Sequence, residues 1–251
     1  MSTAKKRWLI AAAVFIAMAI VFGAAYLFSE KAAEGQAPEY SPAPTPTAAA
    51  SEAAAPEVPI DFSYWQGLNP DVYGWITIPN TRIDYPILHS ETDNAYYLEH
   101  NLDGSAGLPG CIYSENYNHT DFADPVTILY GHNMKETAAQ TMFRDLHKFE
   151  SAEFFEANRE ILIYQPNRIL HYKVFSVYNN SDEHLMYAFD FSTEEGMQAF
   201  LEQCEKPRDM NAKVDADQEV SVSDKLLVLS TCTNVDTERL LVVAVLDKVE
   251  E

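Results

Sequence analysis

Basic residues are scarce in this sequence of 251 residues. Lys and Arg together number 17 against 38 Asp and Glu, which gives a formal net charge of −21. A chain this acidic repels phosphate backbones and anionic lipid head groups. We therefore expect no nucleic-acid partner and attribute the charge to solubility. Hydrophobic residues make up 47% of the chain, which is enough for one sizeable domain and is not a disordered composition.

Cysteine is scarce as well, with three residues at positions 111, 204 and 232. An exported domain that relies on disulfides usually carries a denser and even set. The odd count leaves at least one free thiol to explain. Metal-binding patterns are also missing, because the seven histidines show no HxxxH spacing and the loops show no EF-hand spacing. We therefore expect no metal and no cofactor.

One long apolar run lies near the N-terminus. Lys5, Lys6 and Arg7 precede residues 8–28, which carry no charge. About 20 apolar residues in a helix span a bilayer, and the basic cluster predicts a cytoplasmic N-terminus with the remainder of the chain outside the cell. Residues 1–28 are thus predicted to be a cytoplasmic tip and a single-pass anchor in the cell membrane. A cleavable signal peptide, whose apolar region is usually about 7–15 residues, is the alternative.

The next segment, residues 29–59, has the composition of a linker. It contains six prolines among Ala, Glu and Thr, and almost no bulky apolar residues. Such a segment cannot bury enough apolar surface to fold, which predicts a disordered, extended tether. Residues 60–251 show no internal repeat and no second linker, so they are predicted to form one extracellular domain.

Strand patterns dominate residues 60–251. The eight runs are 72–78, 82–88, 110–114, 126–131, 160–164, 169–178, 225–232 and 239–247. Helical patterns are confined to residues 93–102, 137–150 and 192–206, and Ser192 or Thr193 is positioned to cap the last of these. Eight short strands with few helices predict a mainly β fold with peripheral helices, closed into a barrel.

A thiol and a guanidinium stand at the facing ends of the last two apolar runs. Cys232 ends one run and Arg239 begins the next, so a hairpin would place them at the same end of the sheet. An arginine there can stabilise a thiolate or donate to an oxyanion. The alternatives are that Cys232 packs as a small hydrophobe and that Arg239 pairs with Asp236 or Glu238.

An imidazole occupies a similar position. His132 directly follows the apolar run 126–131, and Gly131 would let the backbone turn sharply there. A lone histidine is often structural, but a thiol, an imidazole and a guanidinium at strand ends are the groups that acyl transfer requires. Asp236, the carboxylate nearest to Cys232 in this loop, is better explained as a solvated loop residue.

Three motifs resemble those of the sortase family, and they follow one another along the chain in the order that the family shows. "LSTC" at 229–232 resembles the Leu-x-Thr-Cys signature, and "YGHN" at 130–133 resembles the histidine motif. Arg239, which opens the following apolar run, matches the third catalytic position. Residues 69–100, which include "DNAYYL", and the helical pattern at 192–206 resemble class B sortases. The similarity covers nearly the whole predicted extracellular domain.

The resemblance implies an eight-stranded closed β barrel and a cysteine transpeptidase of the Gram-positive cell surface. Such an enzyme cleaves the C-terminal sorting signal of a secreted protein after a threonine. It then transfers the acyl group to an amine of the cell-wall precursor. By position, the resemblance implies that Cys232 is the nucleophile, His132 the general acid and then base, and Arg239 the clamp for oxyanion and substrate.

The resemblance also implies contacts with the sorting peptide at Asn94, Leu98 and Ser230, with Thr231 supporting the site. The two remaining cysteines, Cys111 and Cys204, are expected to pack in the core. Two other functions stay open from the residues alone. One is a cysteine peptidase of the cell-wall hydrolase kind, and the other is a non-enzymatic tethered binding module.

Overall fold

A computed structural model describes residues 56–251. The predicted membrane segment, residues 8–28, and most of the predicted linker, residues 29–59, lie outside this range. Residues 56–58 have no regular secondary structure. Between residues 56 and 251, no helix combines the length and the apolar character needed to cross a membrane.

The described part of the chain contains nine strands. They are β1 (Val72–Thr77), β2 (Asp84–His89), β3 (Ile112–Ser114), β4 (Val126–Tyr130), β5 (Glu160–Gln165), β6 (Arg168–Ser181), β7 (Lys213–Val214), β8 (Leu226–Cys232) and β9 (Glu238–Glu250). All eight predicted strands are present. The strand that the sequence did not predict, β7, has two residues, too few for an alternating pattern to be visible.

Eight of these strands close into a barrel. Their order is β5-β1-β2-β3-β4-β8-β9-β6, and a further pairing between β5 and β6 completes the ring, while β7 adds to the free side of β6. The pairs β2–β3 and β4–β8 are parallel, and the remaining pairs are antiparallel. The predicted mainly β fold with an eight-stranded closed barrel is thus confirmed.

Helices lie around the barrel. They are α1 (Phe62–Leu68), α2 (Tyr96–Glu99), α3 (Ala152–Ala157), α4 (Leu185–Ala188), α5 (Glu194–Glu205) and a 3₁₀ helix (Phe143–Glu150). The helix predicted over residues 192–206 is confirmed as α5. Thr193 caps it, since its hydroxyl oxygen accepts from the N–H of Gly196 at 3.1 Å. The helix predicted over residues 93–102 was too long, because only the single turn α2 forms.

The helix predicted over residues 137–150 was wrong in its length and its type. Met142 has φ 51° and ψ −125°, a backbone conformation that a helix cannot continue through. Regular structure therefore begins at the next residue, as the 3₁₀ helix. Its Phe143, Leu146 and Phe149 are fully buried and pack in the core of the barrel.

Successive residues of β8 face opposite sides of the barrel wall. Leu227 and Leu229 are buried in the interior with the 3₁₀ helix. On the outside lies the α5 cluster, which includes Leu226, Val228, Met197, Phe200 and Cys204. A second outer cluster, built on α1 and α2, covers β1 to β3. Tyr130, the last residue of β4, packs against both outer clusters and marks the seam between them.

Candidate active site

The exits of β4 and β8 bring His132 and Cys232 to the same edge of the barrel. These strands are parallel neighbours in which Tyr130 lies opposite Ser230. The N–H of Gly131 donates to the carbonyl of Ser230 at 3.2 Å, which continues the ladder past the end of β4. The imidazole and the thiol each follow that paired position by two residues. Parallel pairing therefore brings together two residues that are a hundred positions apart in the sequence.

The pairing of β8 with β9 adds Arg239. Cys232 and Arg239 are directly opposite each other, so their side chains lie on one face of the barrel wall. Such pairs have Cβ atoms about 4.5–5.5 Å apart. Arg239 Nη1 donates to the backbone carbonyls of Asp236 and Glu238, at 2.9 Å each. The loop therefore holds the guanidinium through carbonyl oxygens, a different contact from the ion pair with the Asp236 or Glu238 carboxylate that the sequence left open.

Cys232 is exposed and makes no disulfide. Along the outer face of β8, Leu226 and Val228 are buried under the α5 cluster, and Ser230 is still only 7% exposed. The cover ends between Ser230 and Cys232, at the seam near Tyr130. The alternative that Cys232 is a small buried hydrophobe is therefore wrong.

His132 is oriented by a carbonyl oxygen. Its Nε2 lies 2.8 Å from the carbonyl oxygen of Leu98 in α2. A carbonyl can only accept, so Nε2 carries a proton, and in the neutral ring Nδ1 is the nitrogen with a free lone pair. The ring can therefore accept a proton at Nδ1 while Leu98 keeps its orientation fixed.

Gly131 is required for space. A Cβ at this position would lie 2.4 Å from Cδ1 of Ile112 and 2.8 Å from Cδ2 of Phe143. The φ of Gly131 is outside the left-handed region, so what requires glycine at this strand exit is space and not that backbone conformation. The barrel interior passes so close to the strand exit that only glycine fits before His132.

The predicted substrate-contact residues occupy different positions around Cys232. Ser230 lies on the same face of β8 as Cys232. Leu98 contacts the site through its backbone carbonyl, which holds His132. Thr231 points inward, and its hydroxyl donates to the carbonyl of Gly131 at 2.8 Å, which links the two strand exits. The side-chain oxygen of Asn94 accepts from the N–H of Asn116 at 2.8 Å.

Two tyrosines at the seam were not singled out from the sequence. The rings of Tyr113 and Tyr130 stack with centroids 5.5 Å apart. Burial raises the pKa of both hydroxyls, and the negative charge of Glu115 raises each further. Tyr113 is only 5% exposed, and the Tyr130 hydroxyl lies 3.5 Å from Nε2 of His184. Tyr130 ends β4, which was an available signal, whereas Tyr113 is the middle residue of β3.

Two further polar side chains meet at the backbone of Cys232. Asn133 Nδ2 donates to the carbonyl oxygen of Cys232 at 2.9 Å, and His147 Nε2 lies 3.1 Å from the same oxygen. Asn133 stands in the "YGHN" motif, whereas the sequence gave His147 no distinction from other polar-flanked histidines. Only the packing of the 3₁₀ helix in the barrel core brings His147 to this point.

A polar cavity of about 570 Å³ borders that contact, and its lining includes Asn133, His147, Arg82 and Asp145. Arg82 Nη2 lies 2.5 Å from Asp145 Oδ1, and Lys148 Nζ lies 2.9 Å from Oδ2. Burial favours protonation of Asp145, but the hydrogen bonds from Arg82 and Lys148 outweigh it and hold the pKa of this carboxyl well below its usual range. These charges are thus committed to each other and brace the 3₁₀ helix.

Within residues 56–251, no group of three or more His, Cys, Asp or Glu side chains is arranged to hold a metal ion. The other two cysteines are buried, as expected for packing residues. Cys111 lies just before β3, with its sulfur 3.5 Å from the carbonyl oxygen of His100.

Comparison with known proteins gives concordant results. The family model described as "Sortase domain" matches residues 76–247. "Sortase B" of Listeria monocytogenes is 34% identical over 174 residues, which cover 69% of this chain and 66% of that protein. The X-ray structure of Clostridium perfringens sortase B has a TM-score of 0.66 at 27% identity and covers 74% of this chain and 99% of that chain. The structure titled "Staphylococcus aureus sortase B-substrate complex" has a TM-score of 0.64 at 28% identity and covers 74% of this chain and 77% of that chain.

Proposed function

Because this chain belongs to the sortase family, and within it to class B, we propose that it is a membrane-anchored cysteine transpeptidase of the cell surface. Its substrates are secreted proteins with a C-terminal sorting signal, which it cleaves after a threonine. The acyl group is transferred to an amine of the cell-wall precursor. The observation that carries this function is the exposed, free thiol of Cys232, which lies opposite Arg239 and beside the strand exit that bears His132.

In the first half of the proposed reaction, Cys232 Sγ attacks the carbonyl carbon of the threonine, and its proton passes to Nδ1 of His132. The carbonyl oxygen becomes an oxyanion, to which the guanidinium of Arg239 donates. The carbon–nitrogen bond then breaks, and His132 returns the proton to the leaving amine. The product is a thioester on Cys232.

In the second half, the amine of the acceptor attacks the thioester carbon. His132 removes a proton from that amine, and the oxyanion again lies next to Arg239. Collapse breaks the carbon–sulfur bond and restores the thiol with the proton from His132, so atoms and charge balance. The contact of Nε2 with Leu98 supports this role, since it leaves Nδ1 available in both halves.

We assign the sorting peptide to the seam beside Cys232, with Asn94, Leu98 and Ser230 as contact residues and Thr231 as support. That a Staphylococcus aureus sortase B has been solved as a substrate complex supports a peptide of this kind as the ligand. Anchoring through residues 8–28, with the cytoplasmic N-terminus and extracellular catalytic domain, belongs to the same proposal.

The test uses the full chain in detergent and a library of internally quenched peptides, each with a central threonine. Hydroxylamine serves as a general amine acceptor, and mass spectrometry identifies the products. We expect cleavage after threonine and a hydroxamate product. We expect Cys232→Ala to reduce the rate at least about 1000-fold, and His132→Ala and Arg239→Ala at least about 100-fold.

The matched controls are Cys111→Ala and Cys204→Ala, which remove the buried thiols and should retain activity. If Cys232→Ala cleaved as fast as the unaltered chain, the assigned nucleophile would be wrong. Water-only products in the presence of hydroxylamine would favour the cell-wall hydrolase alternative. A chain that cleaves no peptide of the library would favour the non-enzymatic binding module.

A further inference from the structure

The carbonyl of Cys232 lies where the ladder between β4 and β8 loses its backbone donor. Gly131 donates to the carbonyl of Ser230, and the next equivalent donor in a parallel ladder would be the N–H of Asn133. The chain after β4 instead turns toward the 3₁₀ helix. The backbone carbonyl of His132 accepts from the N–H of Phe143 at 2.9 Å, and Asn133 forms an isolated antiparallel β-bridge with Met142. The nucleophile's carbonyl therefore needs a partner from a side chain.

Asn133 supplies that partner with its side chain. The Nδ2 atom donates to the carbonyl oxygen of Cys232 at 2.9 Å, in place of the backbone N–H. The Oδ1 atom accepts from Arg144 Nη1 at 3.3 Å, and Arg144 Nε in turn contacts Glu136 at 2.7 Å. Because Arg144 can only donate, it fixes which end of the amide faces Cys232.

His147 completes a three-way contact. Its Nε2 lies 3.1 Å from the carbonyl oxygen of Cys232 and 3.0 Å from Asn133 Nδ2, while its Nδ1 lies 2.8 Å from Glu150 Oε2. Nδ1 carries a proton, since it faces a carboxylate. In the neutral ring Nε2 then accepts from Asn133, and in the doubly protonated ring it donates to Cys232 directly. The neutral imidazole therefore supports the carbonyl only by holding Asn133 Nδ2, and the doubly protonated imidazole supports it directly.

The support is rigid because it comes from the 3₁₀ helix. Phe143, Leu146 and Phe149 of this helix are fully buried in the barrel interior. A packed interior does not deform continuously, so a side chain mounted on this helix has a fixed position. In contrast, the loop after Cys232, residues 233–237, is largely exposed and has no such packing.

We propose that Asn133 and His147 are positioning residues for the nucleophile, a role that rests on the proposed function. They hold the carbonyl of the Cys232–Thr233 peptide group. In a trans peptide the carbonyl and the N–H point in opposite directions, so the same contacts fix the N–H of Thr233. They also fix the backbone from which Sγ projects toward His132. Neither side chain contacts the sorting peptide in this scheme.

A positioning role makes a specific kinetic prediction. In the full chain, we expect His147→Leu to lower kcat about tenfold and to leave KM within about twofold. His147→Gln keeps an N–H donor on a side chain that can reach the same oxygen, and we expect it to recover most of the lost kcat. Asn133→Asp keeps the shape and puts an oxygen where the amide donates, so we expect a loss larger than that of His147→Leu.

A second measurement does not require the sorting peptide. Alkylation of Cys232 by iodoacetamide, followed by mass spectrometry, reports how the thiol is presented in the folded chain. We expect the alkylation rate to change at least about threefold in His147→Leu and Asn133→Asp and to return toward that of the unaltered chain in His147→Gln. This measurement keeps the inference testable if no transpeptidation is found.

The matched control is His171→Leu. His171 also contacts a carboxylate, with Nδ1 3.1 Å from Glu160 Oε1, but it lies opposite Lys248, nine residues along β9 from Arg239. We expect its kcat and its Cys232 alkylation rate to be unchanged. The positioning role would be overturned by a loss that appears in KM alone, by a loss that His147→Gln does not restore, or by alkylation rates equal to that of the unaltered chain.

Discussion

Two cysteines lie on the outer side of the same barrel wall and differ in their surroundings. Cys204 projects from α5 into the α5 cluster, is fully buried, and has its sulfur 3.7 Å from the hydroxyl of Tyr178. Cys232 ends β8 just beyond that cluster and is exposed. Burial raises the pKa of the Cys204 thiol from 9.0 to about 12. Residue type is the same, so what separates a packing thiol from a candidate nucleophile is where the helical cover stops.

The most direct way to break this comparison is to measure thiol reactivity. A pKa of about 12 in place of 9.0 leaves Cys204 with about a thousandth of the thiolate at neutral pH, before any steric protection. We expect iodoacetamide to label Cys232 at least about 100 times faster than Cys204 in the folded chain. Peptide mapping after timed quenching measures both rates. Similar rates without denaturant would contradict the burial of Cys204, and unfolding in guanidinium should remove the difference.

A larger residue at the strand exit should disturb the exposed thiol's surroundings. Gly131→Ala introduces a Cβ that clashes with Ile112 and Phe143 in the barrel interior. We expect a loss of about 1–3 kcal/mol in the free energy of unfolding and at least about a tenfold loss in kcat, because His132 is displaced. Urea denaturation and peptide cleavage give the two values. Gly67→Ala is the control, since a Cβ there meets no atom within 4 Å.

The ion pairs of Asp145 with Arg82 and Lys148 should contribute stability that depends on pH. The folded-state pKa of Asp145 is depressed, so its contribution is present above the unfolded value near 3.8 and is lost as the pH falls through the folded value. We expect Asp145→Asn to cost about 2 kcal/mol at pH 7, less than a fully buried pair because Arg82 and Lys148 are partly exposed. Urea denaturation should show this difference shrinking below pH 3.8. A difference that stays constant down to pH 2 would disprove the linkage.

The smallest effect on stability and activity is expected for the buried thiol of Cys204. Cys204→Ala removes one buried sulfur from the α5 cluster and should cost about 1 kcal/mol in the free energy of unfolding. We expect kcat/KM to stay within about twofold, since the sulfur faces the cluster and not the seam. Thermal unfolding and peptide cleavage measure the two quantities. A large loss of activity without a loss of stability would show that the two outer regions are coupled.

Local patterns were sufficient for the strands and for one helix. The alternation and the aliphatic runs predicted all eight barrel strands, and the capped amphipathic pattern predicted α5. The helices α1, α3 and α4 have four to seven residues, too few for a period of 3.6 to stand out. The 3₁₀ helix was misjudged because its start depends on the backbone of Met142, and tertiary packing overrides propensity there.

The site was predictable to a similar, partial degree. Cys232 and Arg239 follow from hairpin geometry, which is local and therefore visible in the chain. Grouping His132 with them relied on its place at a strand end and on the resemblance to a family, because no local rule states that β4 and β8 are parallel neighbours. His147 could not be selected at all, since it has no distinguishing neighbours in the sequence and reaches the carbonyl of Cys232 only through the packing of its helix.

The order of residues by itself determined the strands, the acidic surface and the pairing of the thiol with the guanidinium, since each depends on neighbours a few positions apart. Only the tertiary structure decided that the cover of the α5 cluster ends between Ser230 and Cys232. It also decided that Asn133 and His147 meet at the carbonyl of Cys232. Barrel closure and side-chain burial depend on many contacts between residues that are far apart in the sequence, so no short segment of the chain reveals them.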